Sequence, residues 1–175
     1  MNAPVASAGM LIRRPTAEVF EAFVDPAITA RFWFSSGSGR LAPGARVTWS
    51  WEMYGVATEV VVKAIEPARR ILVDWDVQES PTEVEWRFEA RGDDCWVTVE
   101  NRGFGSGADS VAKALDATGG FALVLAGAKI WLEHAIDPRF VVDRHPDARV
   151  EGWSEAPARP RADRGWSEAP GAASR

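Results

Sequence analysis

Cysteine occurs once, at Cys95, in a chain of 175 residues. That excludes an internal disulfide framework and any zinc site built from several thiolates. Histidine occurs twice, at His134 and His145, which leaves little material for imidazole chemistry. Of twenty basic residues only Lys63, Lys113 and Lys129 are lysines, and the net charge is −5. A general nucleic-acid surface is therefore not expected. No apolar run reaches the roughly 20 residues of a bilayer span. The most apolar stretch, Phe121 to Leu132, is interrupted by Lys129. Residues 1–10 carry no basic segment and no apolar run of signal-peptide length. The expectation is a cytoplasmic protein with no membrane partner, no metal and no cofactor.

What the chain does have is tryptophan: nine, against one tyrosine. Two of them fall in the last segment, Glu151 to Arg175, where the hexapeptide GWSEAP occurs at Gly152–Pro157 and again at Gly165–Pro170. This segment is rich in Ala, Pro, Gly and Arg, with neither a helical nor a strand period. Such a composition buries too little apolar surface to offset chain entropy. We expect a domain over residues 1–150 and a disordered tail over 151–175. The other reading of the tail is a pair of linear motifs, each offering one Trp to a partner.

The body reads as an ordered series of elements. A strand is expected near Ala6–Arg13. Val19, Phe20, Phe23 and Val24 have helical spacing, Pro15 suits a first turn, and Asp25-Pro26 ends the helix. A second short helix is expected over Ala27–Trp33, then a loop at Ser35–Gly39. Five runs follow with period-two alternation or β-branched continuity: Val47–Met53, Ala57–Ile65, Ile71–Val77, Val84–Ala90 and Cys95–Val99. Their short spacers predict an antiparallel meander with one buried face. One long helix is expected from about Ala108 to Ala135, its apolar side running through Val111, Leu115, Phe121, Leu125, Ala128 and Leu132. Gly119-Gly120 would cost it roughly 2 kcal/mol relative to alanine, so a kink or break is expected there.

Five segments carry a family resemblance: PTAEVFEAFVDPAITARFWF (Pro15–Phe34), LAPGARVTW (Leu41–Trp49), IEPARRILVDW (Ile65–Trp75), VTVENRGF (Val97–Phe104) and GFALVLAGAKIWLE (Gly120–Glu133). In this order they resemble the SRPBCC (START-like, helix-grip) superfamily. Within it they resemble the bacterial homologues of the heat-shock ATPase activator. The resemblance implies an α+β helix-grip fold: a curved antiparallel sheet of about six strands around a long C-terminal helix, with two short helices after the first strand. It also implies a cavity between sheet and helix, and an association with stress response. Phe121 stands where the family usually has Trp, and Ala128 where it usually has Leu. Both swaps remove volume from the helix side facing the sheet.

Strand parity puts Trp49, Trp51, Met53, Trp75, Trp86 and Val97 on one concave face. Trp33, Phe104, Phe121, Leu125 and Ala128 complete the candidate ligand-binding set. A plain aromatic core is the simpler reading. A lined cavity is the functional one, since four tryptophans on one face are difficult to pack without gaps and each buried indole N–H needs a partner. Gly103-x-Gly105-x-Gly107 lacks the sixth-position glycine and the βαβ context of a dinucleotide loop, and is expected to be a mouth loop. His134 and His145 are expected at a solvated helix end, and Cys95 as an inert thiol. Glu59, Asp74, Asp76, Glu83, Glu85, Glu89 and Glu100 are expected outward, either as a solvated face or as an acidic docking surface.

Three functions stand open on this basis. The first is non-enzymatic binding of a small hydrophobic or aromatic ligand. The second is a protein-interaction module docking by the outer sheet face. The third is a cyclase-like or hydrolase-like enzyme, for which the inward faces offer no acid or base unless Glu52 or Asp76 turns in. Monomer and homodimer are both compatible with the sequence.

Overall fold

The computed structural model of the chain describes residues 3–153. The second GWSEAP copy and most of the expected tail lie outside the described residues. The chain begins with β1 (Ala6–Ile12), then α1 (Thr16–Val24) and α2 (Pro26–Thr29). The strands β2 (Ser36–Gly37), β3 (Arg46–Trp51), β4 (Val56–Glu66), β5 (Arg70–Trp75), β6 (Thr82–Arg91) and β7 (Asp94–Arg102) follow. The long helix α3 spans Ser110–His134, and the short α4 spans Phe140–Arg144. All strands join one antiparallel sheet in the order β1-β7-β6-β5-β4-β3-β2. The first strand thus closes against the last. This is the expected helix-grip architecture, with seven strands rather than about six. The extra one is the two-residue β2, inside what the Ser/Gly composition marks as a loop.

Local chemistry explains the boundaries. Pro15 precedes α1 at φ −56°, and the Asp25 carboxylate caps α2 by accepting from Ala27 N at 2.9 Å. Thr29 Oγ1 donates to Ala22 O at 2.7 Å and ties the two helices together. In β4 the register shifts between Val62 and Ala64. This bulge bends the sheet and sends Lys63 outward, where it bridges Asp74 and Glu83 at 3.2 and 2.8 Å.

The helix α3 runs through Gly119-Gly120 without a break. The apolar side also differs from the one its spacing suggests. Ala114, Phe121, Val124, Leu125 and Ala128 are buried, whereas Val111 and Leu115 are 56% and 68% exposed. Leu115 is seven residues, almost two full turns, from exposed Ala122, and so lies off the Phe121 side. By length and composition α3 is the one described helix that could cross a membrane. In the fold it is the helix that closes the sheet: it packs chiefly along β1, and Lys129 Nζ donates to Leu11 O at 2.8 Å.

Beyond α3 the chain turns back. Tyr54 Oη donates to Val141 O and accepts from His145 N. Val150 N donates to Met53 O at 2.9 Å, and Trp153 packs half-buried against the core with Arg149 5.5 Å from its ring. The sequence gives no periodic signal for this return.

Candidate functional site

Between the curled sheet and the N-terminal half of α3 lies a cavity of about 660 Å³. Sheet and helix separate there because α3 is anchored near its far end. Leu125 and Ala128 sit at 1% and 0% exposure, and Gly127 lies against the Phe32 backbone. The cavity wall is aromatic: Trp33 from the α2–β2 connection, Trp51 ending β3, Trp75 ending β5, and Phe121 of α3. Trp51 and Trp75 stack at 6.0 Å with ring planes 14° apart. Trp33 lies 5.5 Å from Trp75 and 6.3 Å from Phe121. Val141, Arg144 and His145, from the returning chain, form a further side together with Tyr54 of the turn between β3 and β4.

The sequence-derived set divides in two. Trp33, Trp51, Trp75, Phe104 and Phe121 line the cavity. Trp49 and Trp86 sit behind Trp33, at 5.0 and 5.8 Å between ring centres, and are fully buried in the core. Met53, Val97, Leu125 and Ala128 are also buried there. The parity argument finds the correct face. It does not separate the part of that face under the helix from the part where the helix lifts away.

The lining also contains residues that the aromatic pattern does not pick out: Thr58, Thr82 and Asn101 on the inner sheet face, with Asp76, Glu79 and Lys113 around them. A signal was present. Asn101 follows Cys95, Val97 and Val99 at the same parity, a polar residue in an inward row. Thr58 and Thr82 likewise share parity with Val60 and Val84. Asp76 enters through a backbone break, at φ 55°, just after β5; its Oδ1 accepts from Thr58 Oγ1 at 3.5 Å. It belongs to the cavity rather than to the outward acids. His145, expected at a solvated helix end, lies 6.0 Å from the Tyr54 ring and lines the cavity. Phe104 lies on the mouth loop, where Gly103 and Gly105 adopt φ of 103° and 77°.

The other outward acids are charge-paired. Glu59 pairs with Arg46, Glu100 with Arg102, and Glu89 with Arg91. Glu85, whose side chain is 4% exposed, is held by Arg70, Arg87 and, at 3.7 Å, Arg102. Burial alone would raise its carboxyl, but the hydrogen bonds and charges of Arg70 and Arg87 outweigh that and hold it below the usual range. Cys95 is fully buried, and burial pushes its thiol up, which suits an inert group. Among the described residues no group of three or more His, Cys, Asp or Glu is placed to hold a metal ion.

A grip of curled sheet and long helix around an aromatic-walled cavity defines an SRPBCC-type module. The chain matches the family described as activator of Hsp90 ATPase homolog 1-like protein over residues 13–133, and it belongs to that family. Among solved structures it is similar to protein SSP2350 from Staphylococcus saprophyticus, at 27% identity and TM-score 0.69, covering 78% of this chain and 96% of that one. It is similar in fold to DynU16, a protein in the dynemicin biosynthetic locus, at 19% identity and TM-score 0.69, covering 81% of this chain and 51% of that one. The Aha1 dimer from Colwellia psychrerythraea is similar at 17% identity and TM-score 0.63, covering 75% of this chain and 97% of that one. No curated protein matches the chain. A fold of this kind fits a ligand-binding or similar module.

Proposed function

We propose that the protein binds a small, flat, largely apolar molecule in the cavity between sheet and α3, without chemical turnover. One observation carries the reading: a cavity of about 660 Å³ whose wall is built from Trp33, Trp51, Trp75 and Phe121. Ligand sites typically span roughly 300–1,000 Å³ and are lined mainly by apolar and aromatic side chains with a few polar groups. Aromatic walls favour flat partners through offset and edge-to-face contacts, worth about 0.5–1.5 kcal/mol each beyond the buried area. The charge-paired outer sheet face, by contrast, leaves little unbalanced charge for a basic docking partner.

Pyrene is a suitable probe, being flat, apolar and able to accept tryptophan excitation. The reading predicts saturable quenching of tryptophan emission at one pyrene per chain. It also predicts that Phe121→Arg, which places a charge in the wall, abolishes the quenching while the far-ultraviolet circular dichroism is unchanged. Quenching that never saturates, or that persists in Phe121→Arg, would count against it.

A further inference from the structure

Among the polar residues of the cavity lining, Asn101 stands apart. It is 6% exposed and lines the cavity, and its Oδ1 is buried without a hydrogen-bond partner. In register it lies between Val84 of β6 and Ala6 of β1, and it follows Val97 and Val99 on the same side of β7. Its two register partners and its two predecessors on that side of β7 are apolar, and a valine would suit the site. A carboxamide offers two donors and two acceptor lone pairs. Buried carboxamides without partners are uncommon, because the missing bonds cost stability. None of the described residues partners this oxygen, so a molecule in the cavity is the natural source of a donor.

The charges around the cavity restrict that molecule further. Glu59 is paired with Arg46, and Asp116 with Arg144 at 2.7 Å. Among the described residues, Asp76, Glu79 and Lys113 of the lining have no ion pair, an excess of one negative charge. An anionic ligand is therefore disfavoured. We propose that Asn101 is the polar anchor of the cavity, and that the ligand is a neutral, flat, multi-ring molecule with a hydroxyl or N–H donor on the edge facing β7. This rests on the cavity being a binding site, and it adds the chemical class of the ligand.

The test compares pyrene, 1-hydroxypyrene and 1-pyrenecarboxylate by their own emission, on the full chain and on Asn101→Leu. The full chain is expected to bind 1-hydroxypyrene about five- to tenfold more tightly than pyrene, the range of one net hydrogen bond, and 1-pyrenecarboxylate more weakly than 1-hydroxypyrene. In Asn101→Leu the preference for hydroxypyrene should disappear while pyrene affinity is kept. The melting midpoint of this variant should hold or rise, because an apolar side chain replaces an unpartnered polar one. Asn101→Ala, which cannot overpack, gives the same comparison if the leucine variant does not fold. Equal affinities in the full chain, a preference that survives the substitution, or tighter binding of the carboxylate would overturn the anchor while leaving the binding site standing. No binding of any of the three would overturn both.

Discussion

Arg144 lays its guanidinium against Gly120 of α3, so close that a β-carbon on residue 120 would stand 2.6 Å from Nη1. The same guanidinium donates to Asp116 O at 2.9 Å and Oδ1 at 2.7 Å. The two glycines that look like a helix break are thus a seat for the returning chain, which forms one side of the cavity. Gly127 also lacks a β-carbon for a packing reason, but its neighbour is backbone: a Cβ there would meet Phe32 O at 3.2 Å.

The two glycines should respond differently to alanine. Each substitution gains about 1 kcal/mol of helix propensity. At Gly120 the obstacle is the mobile end of an arginine whose bonds are largely surface bonds, worth little. Gly120→Ala should hold or raise the melting midpoint. At Gly127 the helix itself must shift, with an overpacking cost of about 1–3 kcal/mol, so Gly127→Ala should melt lower than Gly120→Ala. Thermal unfolding followed by circular dichroism checks the pair; equal midpoints would show that Phe32 yields as easily as Arg144.

Glu85 should set part of the acid sensitivity. Its folded carboxyl lies below the unfolded value of 4.5. The stability it contributes is therefore full above about pH 5 and lost as pH falls through the lower folded value. Glu85→Gln should cost about 1–3 kcal/mol at pH 7 and much less near pH 3. Urea unfolding at both pH values checks this, and a cost independent of pH would mean that the charge is not what matters.

Ala128 is fully buried and lies outside the cavity. Ala128→Leu should therefore act as overpacking, lowering stability by about 1–3 kcal/mol with little change in pyrene affinity. A stabilised variant with weakened binding would instead place spare volume beneath that part of α3.

Trp153 holds the end of the described chain. Removing its ring takes away its core contact and the Arg149 cation–π contact at 5.5 Å. Trp153→Ala should cost about 1–2 kcal/mol, or roughly 2–8 °C in melting midpoint for a domain this size. A chain ending at Trp153 should melt like the full one, whereas one ending at Val150 should melt like Trp153→Ala.

The fold was legible because its strands alternate cleanly. Trp86, Phe88, Val97 and Val99 announce an inner face by parity alone, and short spacers force antiparallel neighbours. The cavity was half legible. Parity assigns Trp49 and Trp75 to the same face, but only tertiary placement decides that Trp49 is covered by Trp33 and Phe34 while Trp75 faces open space. Asp76 was hidden because a positive φ after β5 breaks the alternation that the parity argument depends on. The returning chain was hidden because its contacts are a few hydrogen bonds, one guanidinium seat and scattered side chains such as Val141 and Trp153, and such contacts leave no periodic trace. Asn101 was readable as a polar interruption of an apolar row, a pattern that an emphasis on aromatic residues passes over.

The central claim is that the aromatic wall is a ligand surface, and it is tested most directly residue by residue. In a nitrogen-15-labelled sample titrated with pyrene, the indole N–H resonances of Trp33, Trp51 and Trp75 should shift together and saturate at one equivalent. Those of Trp96, on the outer sheet face, and Trp131, beside Arg31 at 5.5 Å, should stay in place. Indole resonances unmoved at saturating pyrene, or shifts confined to Trp96 and Trp131, would contradict the account.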